Sequence, residues 1–318
     1  MRYDTLPSCF GELVNQVNNV RRKSSNEYSS SCPYCMDGED RFVLFVVGKG
    51  GFPFAFCRHD PENHRWYPSK DHKLTQAEID EFRRNQIEVE KARIEASKRT
   101  IEILQSDRMW DFFFDQNSEW SRQTFKEWGI SESWVNYLKL GFIPDYTIKS
   151  VEGAYHSPAF TIPIWSVGGK VQNIKLRLAN PASSRDRYRN YYSTGQSFLF
   201  VPLYDLPLEG KCVLVEGEKK AIVVEQTIDD MNYRVVGLQS KTPAQELISQ
   251  LKGFDVIYLA LDPDASIKDK SGESAVERMT RMIGRERVRI IDFPCKPDDG
   301  IIQHGLDPMK YVRMARKA

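Results

Sequence analysis

Residues 211–221, KCVLVEGEKKA, and residues 256–265, VIYLALDPDA, decide how the C-terminal third of the chain folds. Each contains a short, apolar, β-branched run that ends in acid: Glu216 after CVLV, then Asp262 and Asp264 after VIYLAL. Short continuous apolar runs closed by turn residues mark strands buried on both faces. Between and after them the texture alternates. EKKAIVVEQ reads as a helix, YRVVGL as a strand and TPAQELISQL as a helix. SGESAVERMTRMI then reads as a helix, RVRIIDF as a strand and DPMKYVRMARK as a helix. This order predicts an α/β domain with a mostly parallel sheet and helices on its faces.

Parallel sheets build their sites at the C-terminal ends of their strands. Three such ends carry acids here: Glu216, the Asp262/Asp264 pair, and Asp298 with Asp299 after RVRIIDFPC. Carboxylates from neighbouring strands can converge on one or two divalent ions. Hard oxygen ligands with little histidine favour magnesium or manganese. A single D-x-D after a strand is often only a turn or a helix cap. The recurrence of acids at successive strand ends is what points to a site. Glu218 and Asp269 read instead as surface acids.

A second metal signature lies near the N-terminus. CPYC sets Cys32 and Cys35 on one tight turn, and CRH brings Cys57 and His59 after a β-rich stretch. Three thiolates and an imidazole make a closed tetrahedral set, which suits a structural zinc ion. His64 also lies close, so the fourth ligand is His59 or His64. The runs 42–47 and 52–56 form a hairpin around the GKGG turn, too small to hold together by burial alone. The remaining cysteines, Cys9, Cys212 and Cys295, stand singly. Six cysteines in a chain of 318 residues do not make a disulfide framework.

Upstream of the hairpin, SSNEYSSS reads as a loop. From Thr75, with Glu78 completing a capping box, a charged and proline-free stretch predicts a largely solvated helix to about Ser106. Residues 107–146 are rich in aromatics, which fits helical core packing or rings exposed to stack on bases. AFTIPIWSVGGKVQNIKLRL, 159–178, alternates about a GG turn and reads as a hairpin with Lys175 and Arg177 on one face. Basic residues gather at Lys170, Lys175, Arg177, Arg185, Arg187 and Arg189, and again from Arg278 to Arg289. Such stripes neutralise phosphates or form solvated faces. The net charge of +1 is uninformative. No apolar run is long enough to span a membrane, and the first residues lack a signal-peptide pattern, so a cytoplasmic protein is expected.

With these motifs in view, the sequence resembles the Toprim superfamily, and within it the DnaG-like primases of bacteria, phages and mobile elements. VLVEGEKKA resembles the strand–Glu–Gly–helix motif and LALDPDA the D-x-D motif. CPYC, GEDRF and CRH resemble the primase zinc ribbon. WGISESWVNYLKLGFIPD resembles the helical segment before the core, and TIPIWSVGGKVQNIKLRL with DRYRNYYS the basic subdomain. FPCKPDDGI resembles the late lysine–acid motif.

The resemblance implies four parts: a zinc ribbon (1–72), a charged helical linker with a small helical segment (73–146), a basic α+β subdomain (147–210) and a Toprim catalytic domain (211–318). It implies catalysis by Glu216, Asp262 and Asp264, with Asp298 and Asp299 completing the magnesium or manganese site. Lys175, Arg177, Arg187 and Lys219 would contact nucleic acid or nucleotide. The implied partners are single-stranded DNA, NTPs and a separate replicative helicase, and no membrane. The implied activity is RNA primer synthesis. A Toprim nuclease using the same acids, and a non-catalytic nucleic-acid-binding protein, are the alternatives.

Overall fold

A computed structural model describes residues 10–23, 27–35, 39–45, 53–61, 64–67, 76–150, 153–183, 186–192, 197–239, 243, 245–268 and 272–318. Cys9, the GKGG turn, Thr75 of the capping box, Arg185 and Asp269 lie outside the described residues. The chain divides into two compact units, 1–92 and 93–318.

The first unit contains helix α1 (Phe10–Gln16) and five strands: β1 (Arg21–Arg22), β2 (Glu27–Ser30), β3 (Phe42–Phe45), β4 (Phe54–Cys57) and β5 (Arg65–Trp66). They form one antiparallel sheet in sequence order. Part of the expected SSNEYSSS loop is therefore strand β2. Its Ser29 and Ser30 are fully buried against the sheet, a setting that a serine-rich run does not announce. Among the described residues its core is small: Leu13, Val17, Phe42, Leu44, Ala55 and Trp66, joined by Cys32 and Cys57. These few apolar groups give little burial to offset chain entropy.

Helix α2 (Gln76–Asp107) runs from the first unit into the second. Most of its described side chains are exposed, as its charged sequence requires, but Leu104 is fully buried in the second unit's core. Gln105 donates from its amide to the Val171 carbonyl (2.8 Å), which fixes the last turn.

In the second unit, α3 (Met109–Asp115), α4 (Glu119–Glu127) and α5 (Glu132–Leu138) precede an antiparallel sheet. That sheet is made of β6 (Gly141–Ser150), β7 (Gly153–Trp165), β8 (Val171–Leu178) and β9 (Tyr188–Asn190). Ser118 and Ser121 cap α4 reciprocally. Trp110, Phe113 and Phe125 are buried in the core, whereas Phe112 and Trp120 remain exposed, so the aromatic segment serves mainly packing. The expected 159–178 hairpin is the β7–β8 pair.

The remaining elements are β10 (Gly210–Glu216), α6 (Glu218–Glu225), β11 (Tyr233–Leu238), α7 (Gln245–Ser249), β12 (Phe254–Leu259), α8 (Ala275–Ile283), β13 (Val288–Ile290), α9 (Pro297–His304), α10 (Pro308–Met314) and β14 (Arg316–Lys317). The sheet order is β11-β10-β12-β13-β14, parallel throughout except for the last pair. Its strands read as continuous apolar runs because β10 and β11 are covered on both faces. Two details depart from expectation. The final helix stops at Met314, and Arg316–Lys317 returns as an antiparallel edge strand on β13. A further helix, α9, starts at the KPDD motif with Pro297 in its first turn, where a missing N–H costs nothing.

Candidate metal centres and nucleic-acid cleft

Strands β10 and β12 are neighbours, so their C-terminal ends bring Glu216 and the Asp262/Asp264 pair together. The Ala260 N–H donates to the Leu214 carbonyl (2.9 Å), which carries the pairing past the end of β12. Gly217 then turns the chain at φ 85°, a conformation that only glycine adopts without strain, and α6 begins at once. Asp262 stands just before a short 3₁₀ turn that begins with Pro263, so the proline inside D-x-D presets the bend between the two aspartates.

One oxygen from each of Glu216, Asp262 and Asp264 lies within 4.8 Å of the others. The Asp262 N–H points to Glu216 Oε1 at 3.4 Å. Burial pushes the Glu216 carboxyl above its ordinary range, and the Asp262 carboxylate adds to the effect. Three carboxylates gathered with so little separation repel one another, and the donor set fits a hard divalent cation.

Asp298 and Asp299 stand in the first turn of α9. The structure does not place either of them within the three-acid group. Asp298 is buried and pairs with the Lys219 ammonium at 2.9 Å. Lys220, the next residue on α6, holds Asp262 at 2.8 Å from Oδ1 and 2.9 Å from Oδ2. Lys219, expected to meet nucleic acid or nucleotide, is thus engaged by a carboxylate. Glu218 corrects a further expectation: it is buried, not a surface acid. Burial raises its pKa, the charge of Lys175 opposes the rise, and its Oε1 lacks a hydrogen-bond partner. Its position in the tight turn between Gly217 and the lysines directs it inward, which no sequence pattern signalled.

Glu216, Glu218, Lys219, Lys220 and Asp298 line a cleft of about 230 Å³, into which Lys175 of β8 and Tyr188 of β9 also project, whereas Asp262 lines a separate hollow of about 180 Å³ with Pro263 and Asp292. Beside the cleft, the Arg177 guanidinium lies 4.0 Å over the Trp128 ring and 5.8 Å from that of Tyr188. Arg177 and Arg187 border a further hollow of about 360 Å³, walled by Trp120, Trp128 and Phe160. A guanidinium held on an indole beside exposed aromatic surface offers charge for phosphate and faces for bases. A larger hollow, about 1650 Å³, lies elsewhere, between α4, α5 and the end of α6, and is lined by none of Glu216, Asp262 and Asp264.

In the first unit, one ligand atom each of Cys32, Cys35, Cys57 and His64 lies within 4.8 Å of the others. Cys35 Sγ is 3.1 Å from His64 Nδ1 and 3.6 Å from Cys57 Sγ. The fourth place therefore goes to His64 and not to His59, whose Nδ1 approaches only Cys35, at 3.9 Å. The reason is the turn between β4 and β5. The Cys57 N–H donates to the His64 carbonyl (2.9 Å), which sets His64 directly across from Cys57, and Tyr34 stacks on its ring at 5.1 Å. Burial raises the pKa of the Cys32 thiol and, helped by its thiol neighbours, that of Cys35 to about 12. Burial acts on Cys57 too, but the backbone donors of Asp60 and His59 and the other thiols outweigh it and lower its pKa. Three thiols and an imidazole that would otherwise share protons suit zinc.

The ribbon sheet carries a row of near-parallel rings. Phe45 and Phe54 stack at 5.0 Å, Phe54 and Phe56 at 6.0 Å, and Phe54 and Tyr67 at 6.3 Å, with Tyr67 largely exposed.

No protein-family model matches the sequence, and no curated protein matches it. Solved structures do match the fold, and they are DnaG-type primases. The DnaG primase catalytic domain bound to ssDNA aligns with a TM-score of 0.54 at 16% identity, over 70% of this chain and 83% of that one. The zinc-binding and RNA polymerase domains of Aquifex aeolicus primase align with a TM-score of 0.51 at 17% identity, over 96% of this chain and 85% of that one. The E. coli primase catalytic core gives 0.51 at 17% identity, over 66% and 79%. The chain thus shares the fold of a DnaG-type primase: a mostly parallel α/β core, a preceding α+β sheet and an N-terminal cysteine-ligand ribbon. Among the described residues no helix is long and apolar enough to cross a membrane.

Proposed function

We propose that this chain is a primase that synthesises short RNA primers on single-stranded DNA in the cytoplasm, from NTPs and beside a separate helicase. The observation that carries the reading is the convergence of Glu216, Asp262 and Asp264 at adjacent parallel strand ends, where Glu216 also lines a cleft bordered by Lys175, Lys219 and Lys220. The three acids would hold magnesium or manganese, which when bound supplies charge neutralisation at the phosphates and lowers the pKa of a bound hydroxyl.

The protein's own groups supply the rest. Lys175 puts positive charge where a triphosphate enters the cleft. Arg177, seated on Trp128, and Arg187 in the adjoining hollow hold the template strand by phosphate contact and stacking. Glu216 would serve as a ligand to the divalent ion or as the base that takes a proton from an attacking 3′-hydroxyl at its carboxylate oxygen. In-line attack on an α-phosphate then expels pyrophosphate. In the ribbon, Cys32, Cys35, Cys57 and His64 would hold zinc as a structural ion. The aromatic row gives that sheet a stacking surface for template bases.

The test is direct. Purified protein, single-stranded DNA, labelled NTPs and magnesium should yield short oligoribonucleotides. Shortened DNA with no new RNA would establish a nuclease instead, and no product of either kind a binding protein.

A further inference from the structure

The first turn of α6 carries two lysines in succession, and both are consumed by carboxylates. Lys219 meets Asp298, with side chains 18% and 7% exposed, and Lys220 meets Asp262, with side chains 15% and 10% exposed. In Lys and Arg ion pairs elsewhere, such as Arg189–Asp186, Arg278–Glu273 and Lys139–Asp111, both side chains are more than a fifth exposed. These two pairs are also in an unfavourable place. The N-terminus of a helix carries partial positive charge, so cations in its first turn are repelled, and burying them adds a desolvation cost. A fold that tolerates both penalties twice, at one spot, is keeping the charge for a purpose.

The purpose lies in which carboxylates an ion can reach: the Lys219 ammonium covers Asp298, which lines the cleft beside Glu216, and the Lys220 ammonium covers Asp262 of the three-acid group. The three-acid group is the only carboxylate cluster among the described residues with ligand atoms close enough for an ion, and Asp298 is outside it and already paired.

We infer that Lys219 and Lys220 are built-in counter-cations, so that the acid site takes up a single divalent ion on Glu216, Asp262 and Asp264, with the Lys219 ammonium occupying the place at Asp298 that a second ion would fill. The inference rests on the acid-site reading above and deepens it. Lys220 also weakens the one site, because it competes for Asp262. Both lysines are positioning residues: they set the charge and orientation of the carboxylates.

The experiment counts ions. The full zinc-loaded chain is titrated with Mn²⁺ and the free ion followed by electron paramagnetic resonance, counting only ions that are lost when Asp264→Asn and Asp298→Asn are combined. The wild type should bind one Mn²⁺. Lys219→Met should free Asp298 and bind two. Lys220→Met should still bind one, at least about tenfold more tightly, because a neighbouring positive charge is gone. Lys219→Arg keeps the cation and should stay at one, which guards against a variant that merely disturbs the fold. Two ions in the wild type would overturn this inference and leave the acid site standing, as would a single ion in a folded Lys219→Met protein. An unchanged affinity in Lys220→Met would remove Lys220 from it. No Mn²⁺ bound by the wild type would overturn the acid-site reading and this inference together.

Discussion

The two ligand groups of this protein sit at the ends of very different sheets. In the first unit, three thiols and an imidazole gather around a short antiparallel sheet, and two of the thiols belong to its hydrophobic core. In the second, three carboxylates gather at the end of a parallel sheet, with Asp264 exposed. Among the described residues the first unit has one small apolar cluster, whereas the second has two extensive ones, one on each side of its parallel sheet. The contrast teaches that a metal can be part of a core or a tenant of a finished one. Soft, closed ligands make it structural and hard, open ligands make it reactive.

The sharpest way to break that contrast is to neutralise the tenants' site. Asp262→Asn and Asp264→Asn should each reduce nucleotide incorporation on the order of a thousandfold or more, since ion-assisted charge stabilisation is worth several kcal/mol. Asp264→Asn should not lower the thermal stability of the second unit, because it removes repulsion among crowded carboxylates, whereas Asp262→Asn also strips the buried Lys220 ammonium of its partner and should lower it. A primer-synthesis assay paired with a melting curve decides it. Incorporation within tenfold of wild type in both variants would remove the metal-site reading. A collapsed melting transition in Asp264→Asn would make the acids structural.

The inverse outcome is expected in the ribbon. Stripping zinc with a strong chelator, or Cys35→Ser, should unfold the first unit and leave the second unit's transition in place. Binding of a structural zinc ion is worth about 10–16 kcal/mol in small zinc domains, more than so small a core supplies. Metal analysis should find one zinc per chain. His64→Ala should lose it and His59→Ala should retain it. A ribbon that keeps its fold and its melting transition without metal would erase the distinction between the two centres.

How far the sequence disclosed all this follows the range of the interactions. The parallel sheet was legible because each buried strand is a local apolar run and each acid follows one directly, as in CVLVE and VIYLALD. Strand β2 was hidden, because Ser29 and Ser30 are buried only by their pairing with β3. The Arg316–Lys317 strand was hidden because the helical pattern of DPMKYVRM continues into it, and only the edge of β13 decides otherwise. The choice between His59 and His64 stayed open in the sequence, because both lie near Cys57, whereas the Cys57–His64 backbone bond brings His64 among the three thiols. The lysine–carboxylate pairs join residues far apart in the chain, so only the folded sheet end could reveal them.

A smaller effect should appear when the units are parted. A chain beginning at Arg93 keeps the whole second unit, including Leu104 and the Gln105 bond to Val171, which a cut near Ser106 would remove. It should bind metal at the acids and extend a preformed primer, yet lose most de novo initiation. The first bond requires two free nucleotides to be held at once, and ordering them is the larger entropic burden. The measurement is one template with and without an annealed oligoribonucleotide. Equal losses in both reactions would show that the first unit supports overall affinity and has no special part in starting chains.

The smallest expected effect tests whether the ribbon holds template by its rings or only by its charges. Phe54 touches three partners in the aromatic row, Phe45, Phe56 and Tyr67, so it is the ring whose loss interrupts the surface most. Its side chain is only half-buried, and it is not among the core residues packed around Cys32 and Cys57. Phe54→Leu keeps an apolar side chain on the strand and leaves zinc bound. Removing one aromatic platform costs about 1–3 kcal/mol per stacked base, so single-stranded DNA affinity should fall roughly tenfold. Arg58→Gln, by contrast, removes an exposed charge and should weaken binding mainly at low salt, because phosphate contacts are screened as ionic strength rises. Fluorescence anisotropy with a labelled oligonucleotide at two salt concentrations separates the two. A loss in Phe54→Leu that vanishes at high salt, or no loss at all, would mean that the rings serve only to hold the sheet together and that the template grip is electrostatic.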